Sequence, residues 1–150
     1  MIRRAAPHEA AALTALALRS KAYWGYDEGF MADCATELTV SARQILEHPV
    51  YLVDHHDGIL GFYGLDALSD VEAELAYLFV EPAFIGKGYG ARLLTHARSV
   101  ARDLGYRALV IQGDPHARPF YAAMGATQVG ERPSGSIPGR VRPLFRIDLA

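Results

Sequence analysis

The chain has 150 residues, of which 51% are hydrophobic and 21% charged, and its formal net charge is −2 at pH 7. This composition is typical of a soluble globular protein and predicts one domain over residues 1–150. The charge balance gives no indication of a nucleic-acid partner, and no apolar run is long enough to predict a membrane span. The one cysteine, Cys34, excludes an internal disulfide and a cysteine metal cluster, so a cytoplasmic location is the default expectation.

The first third of the chain is predicted to be mainly helical. A short strand is expected at residues 2–5, and Pro7 begins a helix that runs to about Lys21, as proline commonly does in a first turn. Polar side chains interrupt this segment too early for a signal peptide. Two further helices are expected over residues 31–38 and 41–47.

A segment rich in aromatic and acidic side chains connects the first two helices. Residues 27–37 contain four acids and no Lys or Arg. Two interpretations stay open: a pocket whose aromatic walls and negative charge suit a cationic amine, or a helical hairpin packed on a sheet with solvated acids. Trp24 is more typical of packing, and Tyr26 and Phe30 of a pocket. The candidate substrate-binding residues are Tyr23, Trp24, Tyr26 and Phe30.

Residues 50–56 and 59–66 predict a β-hairpin, because the dipeptide Asp57-Gly58 between them favours a type I′ turn. His55 and His56 are adjacent, so on a strand they would point to opposite faces and could not chelate one ion. His8, His48 and His96 have no partner at ligand spacing either, and the sequence therefore predicts no metal site.

Residues 74–80 predict a central strand that is buried on both faces. Leu75, Tyr77 and Phe79 are expected on one face, and both sets of alternate residues are largely apolar apart from Glu74. The opposite face would carry Glu74, Ala76, Leu78 and Val80.

Three glycines, Gly86, Gly88 and Gly90, follow this strand and precede a helix with apolar residues at helical spacing up to Leu104. Free N–H groups and the positive end of a helix favour a phosphate, so the turn predicts a pyrophosphate cradle. A Walker loop is excluded, because Gly90 is followed by Ala91 and not by Lys and Ser or Thr. A dinucleotide-binding α/β domain, which would prefer NAD or ATP, stays open.

The remaining chain predicts strands at residues 106–112, 126–131 and 144–149, a helix at 116–124 and a loop at 132–142. The segment from Val80 to Leu94 closely resembles the acetyl-CoA signature of the GCN5-related N-acetyltransferase (GNAT) family. Ile85 stands where that family usually has Arg or Gln. A second resemblance covers residues 114–125, where Asp114 replaces the commoner Asn and Tyr121 lies four residues before a glycine.

The resemblance implies the GNAT fold, an α/β (α+β) architecture with a mixed, mostly antiparallel sheet of about seven strands flanked by helices and splayed between the fourth and fifth strands. It implies transfer from acetyl-CoA to the primary amine of a small molecule or peptide by direct attack in a ternary complex, and a homodimer. The implied acetyl-CoA contacts are Leu78, Phe79, Val80, Ile85, Gly86, Lys87, Gly88, Tyr89, Gly90, Ala91, Arg92, Asp114, Ala117 and Tyr121.

Catalytic roles follow from the same resemblance. An alkyl ammonium with a pKa of about 10 must lose a proton before it attacks, and Glu74 is the first candidate base, with Glu72 on the same face as the second. Tyr121 is the candidate proton donor to the leaving thiolate. Main-chain N–H groups near Phe79 and Val80 would polarise the carbonyl.

One alternative is a non-catalytic acyl-CoA-binding or regulatory module on the same fold. The sequence does not identify the acceptor: its acidic balance mildly disfavours acidic acceptors, whereas Arg140 and Arg142 could bind an acceptor carboxylate.

Overall fold

The computed structural model describes residues 1–56 and 58–149, which contain a seven-stranded sheet with the strand order β1-β2-β3-β4-β5-β7-β6. Neighbouring strands are antiparallel except for β4 and β5, which are parallel. This confirms the predicted mixed, mostly antiparallel sheet. The strands are β1 (Ile2–Arg4), β2 (Val50–His55), β3 (Gly58–Ala67), β4 (Glu72–Val80), β5 (Ala108–Gln112), β6 (Thr127–Pro133) and β7 (Val141–Asp148).

Five α-helices flank the sheet in the described part of the chain: α1 (Ala10–Ala22), α2 (Glu28–Leu38), α3 (Ala42–Glu47), α4 (Tyr89–Asp103) and α5 (Arg118–Ala123). The helix α2 begins three residues earlier than predicted, because the Asp27 carboxylate accepts the Phe30 N–H and caps it. None of these helices is long and apolar enough to cross a bilayer.

One predicted connection differs from the structure, and another includes a residue outside the described ranges. The loop expected over residues 132–142 is shorter, because β6 and β7 pair as far as Pro133 and Val141. The turn expected at Asp57-Gly58 includes Asp57, which lies outside the described residues.

Apolar side chains cover both faces of the sheet. One core, the α4-side core, joins Tyr63 and Phe145 of the sheet to Leu93 and Leu94 of α4. The other, the α1-side core, contains Phe62 together with side chains of α1, α2 and α3. Burial on both faces explains why the central strands are nearly continuous hydrophobic runs.

A β-bulge interrupts the central strand at Ala76. Gly64 of β3 pairs with Tyr77 while Leu65 pairs with Leu75, so Ala76 has no opposite residue. The extra residue reverses the alternation beyond it. The prediction that Leu75 shares a face with Tyr77 and Phe79 is therefore wrong: Leu75 joins Leu78 and Val80 in the α4-side core, and Tyr77 and Phe79 pack on the α1-side core.

The bulge lies next to the place where β4 leaves β5. The parallel pairing ends at Glu74 and Val110, although both strands continue. A bulge bends its strand, and here the bend accompanies a gap between β4 and β5. The predicted splay between the fourth and fifth strands is present.

Gly61 tests how closely α4 packs on the sheet. A Cβ at this position would lie 2.9 Å from both Leu93 Cδ1 and the Phe79 carbonyl oxygen. We expect Gly61→Ala to lower the free energy of unfolding by about 1–3 kcal/mol in urea titrations, because a backbone oxygen cannot move aside. Gly130→Ala, on a strand with open space around the added methyl, is the control. Equal midpoints for the two variants would contradict the close packing.

Candidate active site

A cavity of about 590 Å³ occupies the gap between the splayed strands. Its walls come from β4, the glycine turn before α4, the end of β5, α5 and the segment after β6. Part of α1 and α2 closes the remaining side. The cavity thus lies where two parallel strands leave main-chain groups without partners.

Main-chain N–H groups of β4 face this gap. The Glu81 N–H donates to the Leu60 carbonyl oxygen of the neighbouring chain segment. Alternation along the strand turns the Phe79 N–H toward β3 as well, and the N–H groups of Leu78 and Val80 toward the gap. Of the two residues predicted to polarise a carbonyl, Val80 therefore presents its N–H to the cavity and Phe79 does not.

The glycine turn brings the start of α4 to the cavity. Gly86 and Gly88 have φ angles of 84° and 89°, which residues with a Cβ rarely adopt. The Arg92 N–H makes a helical bond to the Gly88 carbonyl oxygen, so the preceding N–H groups lack helical acceptors, and no side chain caps them. A Cβ on Gly90 would lie 3.3 Å from the Phe120 ring. The turn therefore offers free donors and no bulk, which suits a pyrophosphate.

The other predicted cofactor residues divide into two groups. Lys87 lies over the Phe84 ring, and Arg92 over the Tyr89 ring, outside the cavity wall. The predicted residues that line the cavity are Leu78, Phe79, Val80, Ile85, Gly86, Gly88, Gly90, Ala91, Asp114, Ala117 and Tyr121.

The two candidate bases have different surroundings. Glu74 lines the cavity, and burial raises its pKa, with the charge of Asp66 adding to this against the opposing charge of Arg142. Glu72 lies outside the cavity and forms an ion pair with Arg146 of β7. Of these two candidates, only Glu74 lines the cavity, and only its carboxylate lacks an ion-pair partner among the described residues.

Tyr121 lies on α5 at the opposite wall and is 6% exposed. It packs against the Phe120 and Phe145 rings, each at a centroid distance of 5.1 Å. Burial raises the pKa of its hydroxyl, which therefore stays protonated through neutral pH.

A partly buried polar cluster, formed by Lys21, Tyr26, Asp114, His116 and Arg140, stands at one end of the cavity. The Asp114 carboxylate accepts hydrogen bonds from Lys21 Nζ at 2.5 Å and from the Tyr26 hydroxyl at 2.9 Å. Burial alone would raise the pKa of Asp114, but the bond and charge of Lys21, with the His116 N–H, hold it well below its usual range. The cluster fastens the α1–α2 connection to the end of β5.

The aromatic segment supplies less of the cavity wall than its composition indicates. Of the four candidate substrate-binding residues, Trp24 lines the cavity, stacks on His116 and is 38% exposed. Tyr26 stacks on Phe30 with a centroid distance of 4.0 Å, and Arg140 covers both rings. Tyr23 is 53% exposed and contacts Trp24 edge-on.

Lys21 and His116 line the cavity without having been singled out as site residues in the sequence, whereas Arg140 and Arg142, which the sequence offered for an acceptor carboxylate, line it as expected. One signal pointed to a cation near residue 114. A carboxylate in place of the usual amide needs a positive partner when buried, which predicts a Lys or Arg nearby. Nothing in the sequence indicated that α1 supplies it.

The Lys21–Asp114 pair gives a pH-dependent prediction. We expect Asp114→Asn to lower the free energy of unfolding at pH 7 by about 3–5 kcal/mol, because it leaves the Lys21 charge buried without a counter-ion. The pKa of Asp114 is lower in the folded state than the unfolded value of about 3.9. Its ionised carboxylate therefore stabilises the folded state at pH values above about 3.9, and this stabilisation is lost as the pH falls through the folded-state pKa. Urea titrations at pH 7 and pH 3 should therefore show a smaller difference at pH 3.

The matched control for this prediction is Asp33→Asn, on the exposed side of α2, which should change stability by less than about 0.5 kcal/mol. A pH-independent difference between Asp114→Asn and the native chain would contradict the ionised state of Asp114.

Comparisons with known proteins agree with this geometry. The model of the acetyltransferase (GNAT) family matches residues 15–126. A GCN5-related N-acetyltransferase from Rhodopseudomonas palustris superposes with a TM-score of 0.80 at 18% identity, over 99% of this chain and 94% of that one. PaiA N-acetyltransferase from Thermoplasma acidophilum, solved with coenzyme A, gives 0.80 and 18%, over 99% and 98%.

A third structure, YncA from Salmonella typhimurium with acetyl-CoA, gives a TM-score of 0.72 at 20% identity, over 100% of this chain and 94% of that one. No curated protein matches the chain in sequence. The family match covers well over half of the 150 residues, and the splayed strands β4 and β5 and the glycine turn lie within it. The chain therefore belongs to the GNAT family of acetyltransferases, which use acetyl-CoA as their cosubstrate.

Proposed function

We propose that this chain transfers the acetyl group of acetyl-CoA to the primary amine of a small molecule or peptide by direct attack in a ternary complex. The observation that carries the proposal is one cavity lined by a free helix start, splayed-strand N–H groups, the Glu74 carboxylate and Tyr121. These are the groups that a phosphate, a thioester carbonyl, an ammonium and a leaving thiolate require.

Acetyl-CoA would supply the reactive thioester, and the chain would bind it in two places. The N–H groups at the start of α4 would bind the pyrophosphate, with the glycines permitting close approach. The free edge of β4 would pair with the extended pantetheine arm, and the Val80 N–H would donate to the acetyl carbonyl. The presence of coenzyme A in the structure of PaiA and of acetyl-CoA in that of YncA supports acetyl-CoA as the cosubstrate.

Glycine variants test the cosubstrate. We expect calorimetric titration to give saturable binding of acetyl-CoA but not of NAD or ATP, and Gly88→Glu to abolish it by placing a carboxylate among the donors. Gly105→Glu is the matched control, because Gly105 has a similar φ of 96° and open surroundings but lies beyond the other end of α4. Preferential binding of NAD or ATP would favour a nucleotide-binding domain instead.

Glu74 is proposed to accept the proton of the bound ammonium, directly or through water. Burial raises the pKa of Glu74, which makes its carboxylate a stronger base than an exposed one. Tyr121 is proposed to donate its proton to the thiolate, and its burial keeps that proton bound until the transfer. Cys34 also lines the cavity, but its thiol lies beside the Ser136 hydroxyl and has no adjacent base among the described residues.

The pH dependence of kcat/KM tests the role of Glu74. In the native chain the rate should level off above the pKa of Glu74. In Glu74→Gln only the neutral amine can react, about one part in 10³ at pH 7, so the rate should fall by about 10²–10³-fold there and recover tenfold per pH unit toward pH 10.

Two further variants sharpen this test. Glu72→Gln should keep the native profile, since Glu72 is paired with Arg146 outside the cavity, and the reverse result would transfer the role to Glu72. Tyr121→Phe should lower kcat at every pH without changing the shape of the acidic limb, because it removes the acid and not the base. Full transfer activity in both Glu74→Gln and Tyr121→Phe would refute the proposed chemistry.

The alternative of a non-catalytic acyl-CoA-binding module predicts binding without thiol release for any amine. The simultaneous presence of a cavity-facing carboxylate and a phenol favours catalysis over this alternative. A homodimer and a cytoplasmic location stay predictions from the sequence.

A further inference from the structure

One lysine and two arginines line the cavity, and two of these three side chains have counter-ions. Lys21 is paired with Asp114, and Arg140 donates to the Tyr26 hydroxyl at 2.8 Å and to Asp114 at 3.4 Å. Arg142 differs, because no carboxylate among the described residues lies within ion-pair distance of it. The two arginines therefore differ: Arg140 already contacts the Asp114 carboxylate, whereas Arg142 has no carboxylate partner among the described residues.

The hydrogen bonds of Arg142 are incomplete. One Nη2–H donates to the Gln112 carbonyl oxygen at 2.5 Å, which holds the side chain at the end of β5. Its Nε–H is buried and has no acceptor among the described residues. A buried N–H without an acceptor is costly, and a buried charge normally has a partner, so a purely structural role leaves this side chain unexplained.

Sheet geometry places Arg142 on the same face as Glu74. Ile147 and Phe145 of β7 point into the α4-side core, so alternation turns Arg142 to the opposite face. Ala73 and Leu75 of β4 also point into the α4-side core, so alternation turns Glu74 to the opposite face as well. The Glu72–Arg146 ion pair, which spans from β4 to β7 across β5, confirms that these two sets of side chains share a face.

The strand register also explains why Glu74 and Arg142 stay unpaired. Glu72 lies level with Asp148 and pairs diagonally with Arg146. Glu74 lies level with Arg146, so the same diagonal step of two residues along β7 leads from Glu74 to Leu144, which carries no charge. Two opposite charges therefore face one cavity, close enough for Arg142 to lower the Glu74 pKa, without neutralising each other through an ion pair.

We infer that the acceptor is an amine that also carries a carboxylate, the amino-acid class, and that Arg142 binds this carboxylate while the amino group faces Glu74. A guanidinium binds a carboxylate through two parallel N–H bonds, and this fork would consist of the Nε–H, which has no acceptor among the described residues, and the second N–H of Nη2, whose other N–H donates to Gln112. A zwitterion complements the two separated charges, whereas a plain amine leaves the Arg142 Nε–H without an acceptor. This inference rests on the proposed acetyl transfer and names its substrate class.

The test uses the native chain with matched acceptors: each common L-amino acid, its carboxamide and its decarboxylated amine, with thiol release as the readout. We expect kcat/KM for at least one amino acid to exceed that of its carboxamide by about 10- to 100-fold, the range of a charge-assisted hydrogen bond. Arg142→Gln should reduce this ratio to near one, mainly through KM for the amino acid. Arg142→Lys, which keeps the charge but not the fork, should retain part of it.

Arg146→Gln is the control, since Arg146 lies on the same strand with its side chain outside the cavity. It should keep the native ratio. The ratio within one variant cancels any change that the substitution causes in the pKa of Glu74. If Arg142→Gln does not fold, the preference of the native chain for the amino acid over its carboxamide and amine still decides the question.

Several outcomes would overturn the inference. Carboxamides or plain amines used as well as the amino acids would do so while leaving the acetyltransferase function intact, as would an unchanged ratio in a folded Arg142→Gln variant. Transfer to no amino acid despite acetyl-CoA binding would also reject it, and would favour a non-catalytic module. Failure to bind acetyl-CoA would reject the proposed function itself.

Discussion

One unopposed residue in the central strand, Ala76, marks the place where β4 and β5 separate and the cavity opens. The bulge lies beside the last parallel pair of β4 and β5, and the two strands separate beyond it. The separation leaves the N–H groups of Leu78 and Val80 facing a cavity, while the antiparallel pairing with β3 stays intact. The rest of the sheet therefore remains rigid around a local opening.

The same bulge sets the sides on which the chemical groups lie. Because it reverses the alternation of β4, Glu74 faces the α1 side together with Tyr77 and Phe79, and Val80 faces α4. The Glu74 carboxylate thus approaches the cavity from the α1 face of the sheet, whereas the Val80 N–H points toward the gap within the plane of the sheet. The glycine turn then adds the start of α4 from a third direction, at Gly88 and Gly90.

Charge organises the acceptor end of the cavity. Asp114 neutralises Lys21 and contacts Arg140, which fastens α1 to the late loop and consumes the positive charges on that side. Glu74 and Arg142 stay unpaired because Leu144 occupies the diagonal position between them. If the proposed function holds, unpaired charges of both signs in one pocket would discriminate acceptors by both ends of the molecule and not by size alone.

The sequence by itself determined the order of strands and helices, the largely apolar central strand and the glycine turn before α4, because hydrophobic periodicity, glycine spacing and proline position are local properties. It also identified Glu74 and Tyr121, two of the groups that line the cavity, through resemblance to the family. Only the tertiary structure decided which side chains meet there. A bulge has no signature in the alternation of β4, and the pairing of Lys21 with Asp114 joins residues 93 positions apart in the chain. Arg142 has no ion-pair partner among the described residues because of the strand register, which only the assembled sheet defines.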